Sequence, residues 1–153
     1  MKEALLTRKP VPQKEKIPES GKKKRVLIIA GPTASGKTKL SLSLAAALGG
    51  EIISADSMQV YRGMDIGTAK ASAEDRSLIA HHLIDICDIH NTFNVAKFYK
   101  QAQEAFKGII ARENVPIVVG GSGFYIHALL YGPPAGPPSN LSLIHISEPT
   151  RPY

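Results

Sequence analysis

Apolar residues along this chain fall into short continuous runs separated by stretches with a helical repeat. Val26-Leu27-Ile28-Ile29-Ala30 and Val115-Pro116-Ile117-Val118-Val119 are unbroken and rich in β-branched side chains. Such runs predict strands covered on both faces. Glu51 to Ala55 reads as another short strand, and Leu83-Ile84-Asp85-Ile86 as a further one. Between them, Lys37 to Leu48 reads as a helix with Leu40, Leu44, Ala47 and Leu48 on one face, stopped at Gly49-Gly50. Asn94 is placed to cap a helix from Val95 to Arg112, whose apolar side is Phe98, Ala102, Ala105, Phe106, Ile109 and Ile110. A last helix spans Phe124 to Leu130. Residues 57–80 read as loop and short helix, broken at Gly63 and Gly67. Strands alternating with helices predict an α/β fold, a parallel sheet flanked by helices.

The pattern also sets boundaries. Residues 1–24 are rich in lysine and contain Pro10, Pro12 and Pro18, so they read as a disordered basic tail. The α/β core runs from 25 to 132. A proline-rich linker, 133–140, follows. Residues 141–153, from Leu141 to Tyr153, match nothing before them and resemble a translated cloning adapter, so a non-native tail is expected there and His145 is set aside.

Charge first suggests nucleic acid and then withdraws the suggestion. The net charge is +6, but residues 1–25 hold nine Lys/Arg against three Asp/Glu. The remainder is neutral. The excess is thus a feature of the tail, and the body carries no net basic footprint. Cys87 is the only cysteine, which excludes an intrachain disulfide and any zinc site built from cysteine pairs. No apolar run approaches the ~20 residues of a membrane span, and no signal-peptide core follows Met1. A cytoplasmic location without membrane attachment is the expectation.

The chemistry is concentrated in Gly31-Pro32-Thr33-Ala34-Ser35-Gly36-Lys37-Thr38. This is the GxxxxGK(S/T) pattern of a P-loop, and it lies between a strand and a helix as the motif requires. Glycines let backbone N–H groups converge on phosphate oxygens, and the helix adds unpaired N–H groups and the positive end of its dipole. Lys37 brings a mobile charge, and the Thr38 hydroxyl is placed to ligate Mg²⁺. The expected architecture is therefore a P-loop NTPase-like sheet. The strand ending Val118-Val119-Gly120-Gly121-Ser122 offers no acid for the metal. Asp56, after the second strand, is the better-placed carboxylate, since strand C-termini line the ligand crevice of such sheets. Asp56 can take a proton from a substrate or help hold the metal; equally, it can cap a turn with Ser57.

Three further stretches narrow the reading. They are Ser54-Ala55-Asp56-Ser57-Met58-Gln59-Val60-Tyr61, Gly63-Met64-Asp65-Ile66-Gly67-Thr68-Ala69-Lys70 and Val119-Gly120-Gly121-Ser122-Gly123-Phe124-Tyr125. With the P-loop, and with His81-His82-Leu83-Ile84-Asp85 and Asn94 to Phe98, they resemble the tRNA dimethylallyltransferase (isopentenyltransferase) family. The resemblance covers Val26 to Pro138.

It implies transfer of a dimethylallyl group from dimethylallyl diphosphate to N6 of adenosine 37, beside the tRNA anticodon, with release of diphosphate. Residues 31–38 would then hold diphosphate rather than ATP, although an ATP-binding label often attaches to the motif. Asp56 matches the family's general base. Thr33 matches the contact to the bridging oxygen of the leaving group, and Lys37 and Thr38 the diphosphate and Mg²⁺ contacts. Asp56, Ser57, Met58, Gln59 and Ser122 match positions touching the flipped-out adenosine and its neighbours; the family usually has threonine where Ser122 stands. The implied partners are tRNA and dimethylallyl diphosphate, and the protein is expected to be a monomer. Family members are longer, carrying a helical tRNA-gripping insertion and further core elements. The chain thus reads as a truncated front part, expected to bind diphosphate weakly and not to modify tRNA alone.

Blander roles stand beside these. Tyr61 and Tyr125 suit the core, Gly120-Gly121 and Gly67-Thr68 suit turns, His81 and His82 suit structural bonds, and Lys70 suits a solvated surface. Two other enzymes share the P-loop sheet. One is a free-nucleotide (adenylate) isopentenyltransferase. The other is a P-loop small-molecule kinase, which needs an arginine-rich lid; residues 57–131 hold only Arg62, Arg76 and Arg112.

Overall fold

The computed structural model describes residues 25–134. The basic tail, all but the first two residues of the proline-rich linker, and the segment 141–153 lie outside that range. In chain order the elements are β1 (Leu27–Ala30), α1 (Lys37–Leu48), β2 (Gly50–Ser54), α2 (Ala73–Leu78), β3 (His81–His82), α3 (Val95–Ala111), β4 (Val115–Gly120) and α4 (Gly123–Tyr131). The four strands form one parallel sheet in the order β1-β4-β2-β3. Helices cover both faces, as the alternating pattern requires.

The pleat sends successive side chains to opposite faces. Ile52 and Ile117 turn to α1 and pack on Ala45. Their neighbours Ile53 and Val118 turn the other way, onto Phe98, Ala102 and Ile109 of α3 and Tyr125 of α4. The Phe98 and Tyr125 rings stack with centroids 4.1 Å apart. Asn94 caps α3 as expected, its Oδ1 accepting from the Lys97 N–H at 2.9 Å.

Two expectations are corrected. The third strand is not Leu83–Ile86 but His81–His82, paired with Ile52 and Ile53. Leu83 and Asp85 have φ of 62° and 55°, outside the extended region, so the backbone leaves the sheet there. The apolar run Leu83–Ile86 instead folds back, with Asp85 and Ile86 donating N–H bonds to the carbonyls of Gln59 and Val60. The second correction is the inner face of α1. Leu40 and Leu48 are 51% and 50% exposed, while Ser41 and Ala45 are buried. Small side chains bring the helix close to β4 and β2, and the large ones flank that contact.

Candidate functional site

The loop 31–36 joins the end of β1 to α1 and turns through two left-handed residues, Ala34 at φ 63° and Gly36 at φ 84°. Glycine takes such a φ without the Cβ clash that Ala34 must bear. The turn is braced internally. Ser35 Oγ donates to the Pro32 carbonyl at 2.7 Å, and Lys37 Nζ reaches the same carbonyl and, at 3.3 Å, Ser35 Oγ. Lys37 forms no ion pair among the described residues. The helix starts with no side-chain cap and no acid in its first turn, so its leading N–H groups keep their positive potential.

Across from this loop, the ends of β2 and β4 approach so closely that a side chain is excluded. A Cβ on Gly120 would sit 2.1 Å from the Ala55 carbonyl oxygen. Ala55 N–H bonds Val119 O at 2.7 Å, and Ser122 N–H bonds Ala55 O at 3.2 Å. This junction delivers Asp56 to the C-terminal edge of the sheet. Its Oδ1 accepts from the Met58 N–H at 2.8 Å and the Gln59 N–H at 3.2 Å. The capping role of Asp56 is therefore real, and it uses Oδ1 alone; Oδ2 makes no hydrogen bond to the described residues.

A cavity of about 400 Å³ lies between these parts, lined by Thr33 to Lys39, Asp56, Gln59, Thr68, Ala69 and residues deeper in the sheet. The structure thus brings Thr33, Ala34, Ser35, Gly36, Lys37, Thr38, Asp56 and Gln59 to one space. Gly31 and Pro32 shape the loop behind it. Ser57, Met58 and Ser122 do not line the cavity; Met58 is 45% exposed beside it. Gln59 is locked in place: Oε1 accepts from Ser54 Oγ at 2.9 Å, and Nε2 donates to the carbonyls of Thr68 at 2.8 Å and Ala69 at 3.3 Å.

The wall residues not singled out from sequence as ligand contacts include Ser54, Ala69 and His81. The His81 imidazole is fixed by its Nδ1 against the Ile79 carbonyl at 2.7 Å, and burial pushes its pKa down. Only pairing with Ile52 on the α1 face brings this ring to the cavity, a placement no local pattern encodes. His82 is structural, bonded to Glu51 Oε2 at 2.6 Å. Lys70 is neither solvated nor free for RNA: its side chain is 5% exposed and ion-paired to Asp65 and Asp85.

Comparison with known proteins decides the family. A profile described as IPP transferase matches residues 59–147. The chain belongs to the IPP transferase family. The matched span overlaps the start of 141–153, the segment expected to be non-native, which lies outside the described residues. Curated relatives named tRNA dimethylallyltransferase include that of Protochlamydia amoebophila, 65% identical over 117 residues, covering 76% of this chain and 34% of the relative. That of Chlamydia caviae is 60% identical over 118 residues, with 77% and 34% covered.

Solved IPP transferases share the fold. The full-length tRNA isopentenylpyrophosphate transferase of Bacillus halodurans superposes with a TM-score of 0.71 at 46% identity, over 81% of this chain and 41% of that one. A eukaryotic dimethylallyltransferase acting on tRNA gives 0.70 at 34% identity, over 84% and 33%. The chain spans about a third of the length of the curated relatives it matches. No helix among the described residues is long and apolar enough to cross a membrane.

Proposed function

We propose that this chain supplies the diphosphate site and the general base of a tRNA dimethylallyltransferase. One observation carries the reading: the glycine-rich loop and Asp56, whose Oδ2 makes no hydrogen bond to the described residues, border one cavity. In this reading diphosphate lies against residues 31–38, where the N–H groups opening α1 and the Lys37 ammonium offset its charge. The bond from dimethylallyl C1 to the bridging oxygen breaks, with Thr33 beside that oxygen. A bond forms from C1 to adenosine N6. The N6 proton passes to Asp56, and the electron pair of the broken bond leaves with diphosphate. Asp56 can do this while its other oxygen holds the turn, so the base is fixed before substrate arrives.

Magnesium suits the donors present. Thr38, a hydroxyl residue in the first turn of α1, lines the cavity. No group of three or more His, Cys, Asp or Glu among the described residues is arranged to hold a metal unaided. Mg²⁺ characteristically keeps several waters and takes substrate phosphate oxygens with few protein ligands, and Thr38 would be the protein ligand here. Bound there, the ion would neutralise charge on the leaving diphosphate.

The acceptor adenosine enters beside Asp56 and Gln59, with Ser57, Met58 and Ser122 outside the cavity as contacts for neighbouring nucleotides. A base in the anticodon stack must swing out to reach this space. The relatives are named for tRNA, which favours tRNA over a free nucleotide as acceptor; a cytoplasmic location is part of the same proposal. The test offers the complete protein labelled dimethylallyl diphosphate with anticodon stem–loop RNA or with AMP. Label on the RNA adenosine N6 is expected. Label on AMP alone, or γ-phosphoryl transfer from ATP, would overturn the proposal.

A further inference from the structure

The segment from Tyr61 to Lys70 leaves the end of the second strand's motif, turns at Gly63 and Gly67, and returns to form the cavity wall at Thr68 and Ala69. Lys70 closes it. An ammonium has three donors, and each finds an acceptor: the Tyr61 carbonyl at 2.7 Å, Asp65 Oδ1 at 2.9 Å and Asp85 Oδ1 at 2.5 Å. Asp85 Oδ2 is held in turn by Arg76 Nη1 at 2.7 Å. Two cations and two carboxylates therefore balance around a side chain 5% exposed.

These bonds connect to the cavity in a closed circuit. The Asp85 N–H donates to the Gln59 carbonyl at 3.0 Å. The Asp85 carboxylate holds Lys70. Next to Lys70 in the chain, the carbonyls of Ala69 and Thr68 accept from Gln59 Nε2. Gln59 is thus fixed through its backbone by Asp85 and through its side chain by the residues that Lys70 anchors. Ala69 sits at φ 49°, a costly conformation for a residue with a Cβ, and it persists only where neighbours hold it.

We propose that Lys70 is a positioning residue for the acceptor side of the site: it closes the 61–70 loop and so sets the Thr68–Ala69 wall and the Gln59 amide. The inference rests on the acceptor assignment above. The phosphate-loop side is braced separately, by Ser35 and Lys37 on Pro32. Loss of Lys70 must therefore act on one substrate and spare the other, which a general loss of stability would not do.

The test compares wild type, Lys70→Met, Lys70→Arg and Asp65→Asn in the complete protein. Steady-state transfer is measured with each substrate varied, alongside hydrogen exchange of peptides from 61–70 and from β1 and β4. For Lys70→Met, KM for stem–loop RNA should rise about tenfold or more while KM for dimethylallyl diphosphate stays within about twofold. Exchange should quicken in 61–70 and not in β1 or β4. Lys70→Arg should recover little, because a planar guanidinium cannot converge on three acceptors as an ammonium does. Asp65 is 71% exposed, so Asp65→Asn folds in any case and should shift RNA KM the same way by about threefold. Unchanged RNA KM, or equal shifts for both substrates, would overturn the inference. Wild type that transfers nothing to RNA would sink the proposed function instead, and the exchange comparison would still decide the role of Lys70.

Discussion

Glu51 on β2 and Arg112 at the C-cap of α3, 61 residues apart in sequence, meet in a two-bonded ion pair: Nε to Oε1 at 2.8 Å and Nη2 to Oε2 at 2.7 Å. Asn114 Nδ2 adds a bond to Oε1 at 2.8 Å, and His82 one to Oε2 at 2.6 Å. One buried carboxylate so ties β2, β3 and the α3–β4 turn together at the N-terminal ends of the strands, away from the loop 31–38. Its acceptors are filled, which is the condition for a buried charge to be tolerated.

This arrangement predicts an acid response. The Arg112 bonds hold the Glu51 pKa down to about 2 from 4.5, against the upward push of burial and with help from Asn114 and His82. The folded value lies below the unfolded one, so the native state binds fewer protons in that window. The stabilisation is complete above 4.5 and drains away as pH falls toward 2. The urea midpoint of wild type should therefore drop more steeply over this range than that of Glu51→Gln. Parallel slopes would mean that another carboxylate governs acid unfolding.

Under the proposed function Asp56 has two separable duties, as turn cap and as base, so the choice of substitution matters. Asp56→Asn keeps an oxygen for the Met58 and Gln59 N–H groups and removes the proton acceptor. Transfer to RNA should fall by about 100-fold or more, the usual contribution of a general base, while inorganic diphosphate binds as before. Asp56→Ala loses the turn as well and should also lower the melting temperature. Calorimetry with diphosphate and thermal melts distinguish the two variants; full turnover by Asp56→Asn would remove the residue from the mechanism.

Lys37 contacts only its own loop among the described residues, so its removal should leave the fold intact. Lys37→Met is expected to weaken diphosphate binding by about tenfold or more, the scale of one charge-assisted contact. Thr38→Val should spare metal-free binding and erase the gain that Mg²⁺ brings. Titrations of both variants with and without Mg²⁺ test the pair of roles, and a Mg²⁺ effect undiminished in Thr38→Val would place the ion elsewhere.

Gly120→Ala should be severely destabilising, by about 3 kcal/mol or more, because the new Cβ meets backbone rather than a movable side chain. Its position would be 2.1 Å from Ala55 O. Relief requires β2 and β4 to part where Asp56 leaves the sheet. Denaturant unfolding measures the loss; near-wild-type stability would show that the junction yields more easily than its geometry implies.

Much of this molecule is legible in local pattern. The β-branched runs of β1 and β4, the Asn94 cap and the span of α1 are encoded by residues near one another, and so is the loop from Gly31 to Thr38. The pairing of that loop with Asp56 follows from a general property of parallel sheets, whose strand C-termini gather at one edge. Leu83 to Ile86 misled because an apolar run reports burial and not backbone direction. Left-handed φ at Leu83 and Asp85 turns the backbone out of the sheet, and Asp85 and Ile86 bond instead to Gln59 and Val60. Leu40 and Leu48 misled for a related reason: a helical repeat names the apolar positions, but the distance between helix and sheet selected Ser41 and Ala45.

From sequence alone came the α/β class, the order of most elements, the phosphate-loop motif and the resemblance carried by four separated stretches. Each depends on neighbours in the chain or on fixed spacing. Tertiary structure alone decided that Lys70 is buried among carboxylates, that His81 reaches the cavity, that Asp56 keeps one oxygen free, and that Ser57, Met58 and Ser122 lie off its wall. These are properties of where distant segments meet. Burial and hydrogen-bond partners depend on three-dimensional neighbours that no window along the chain contains.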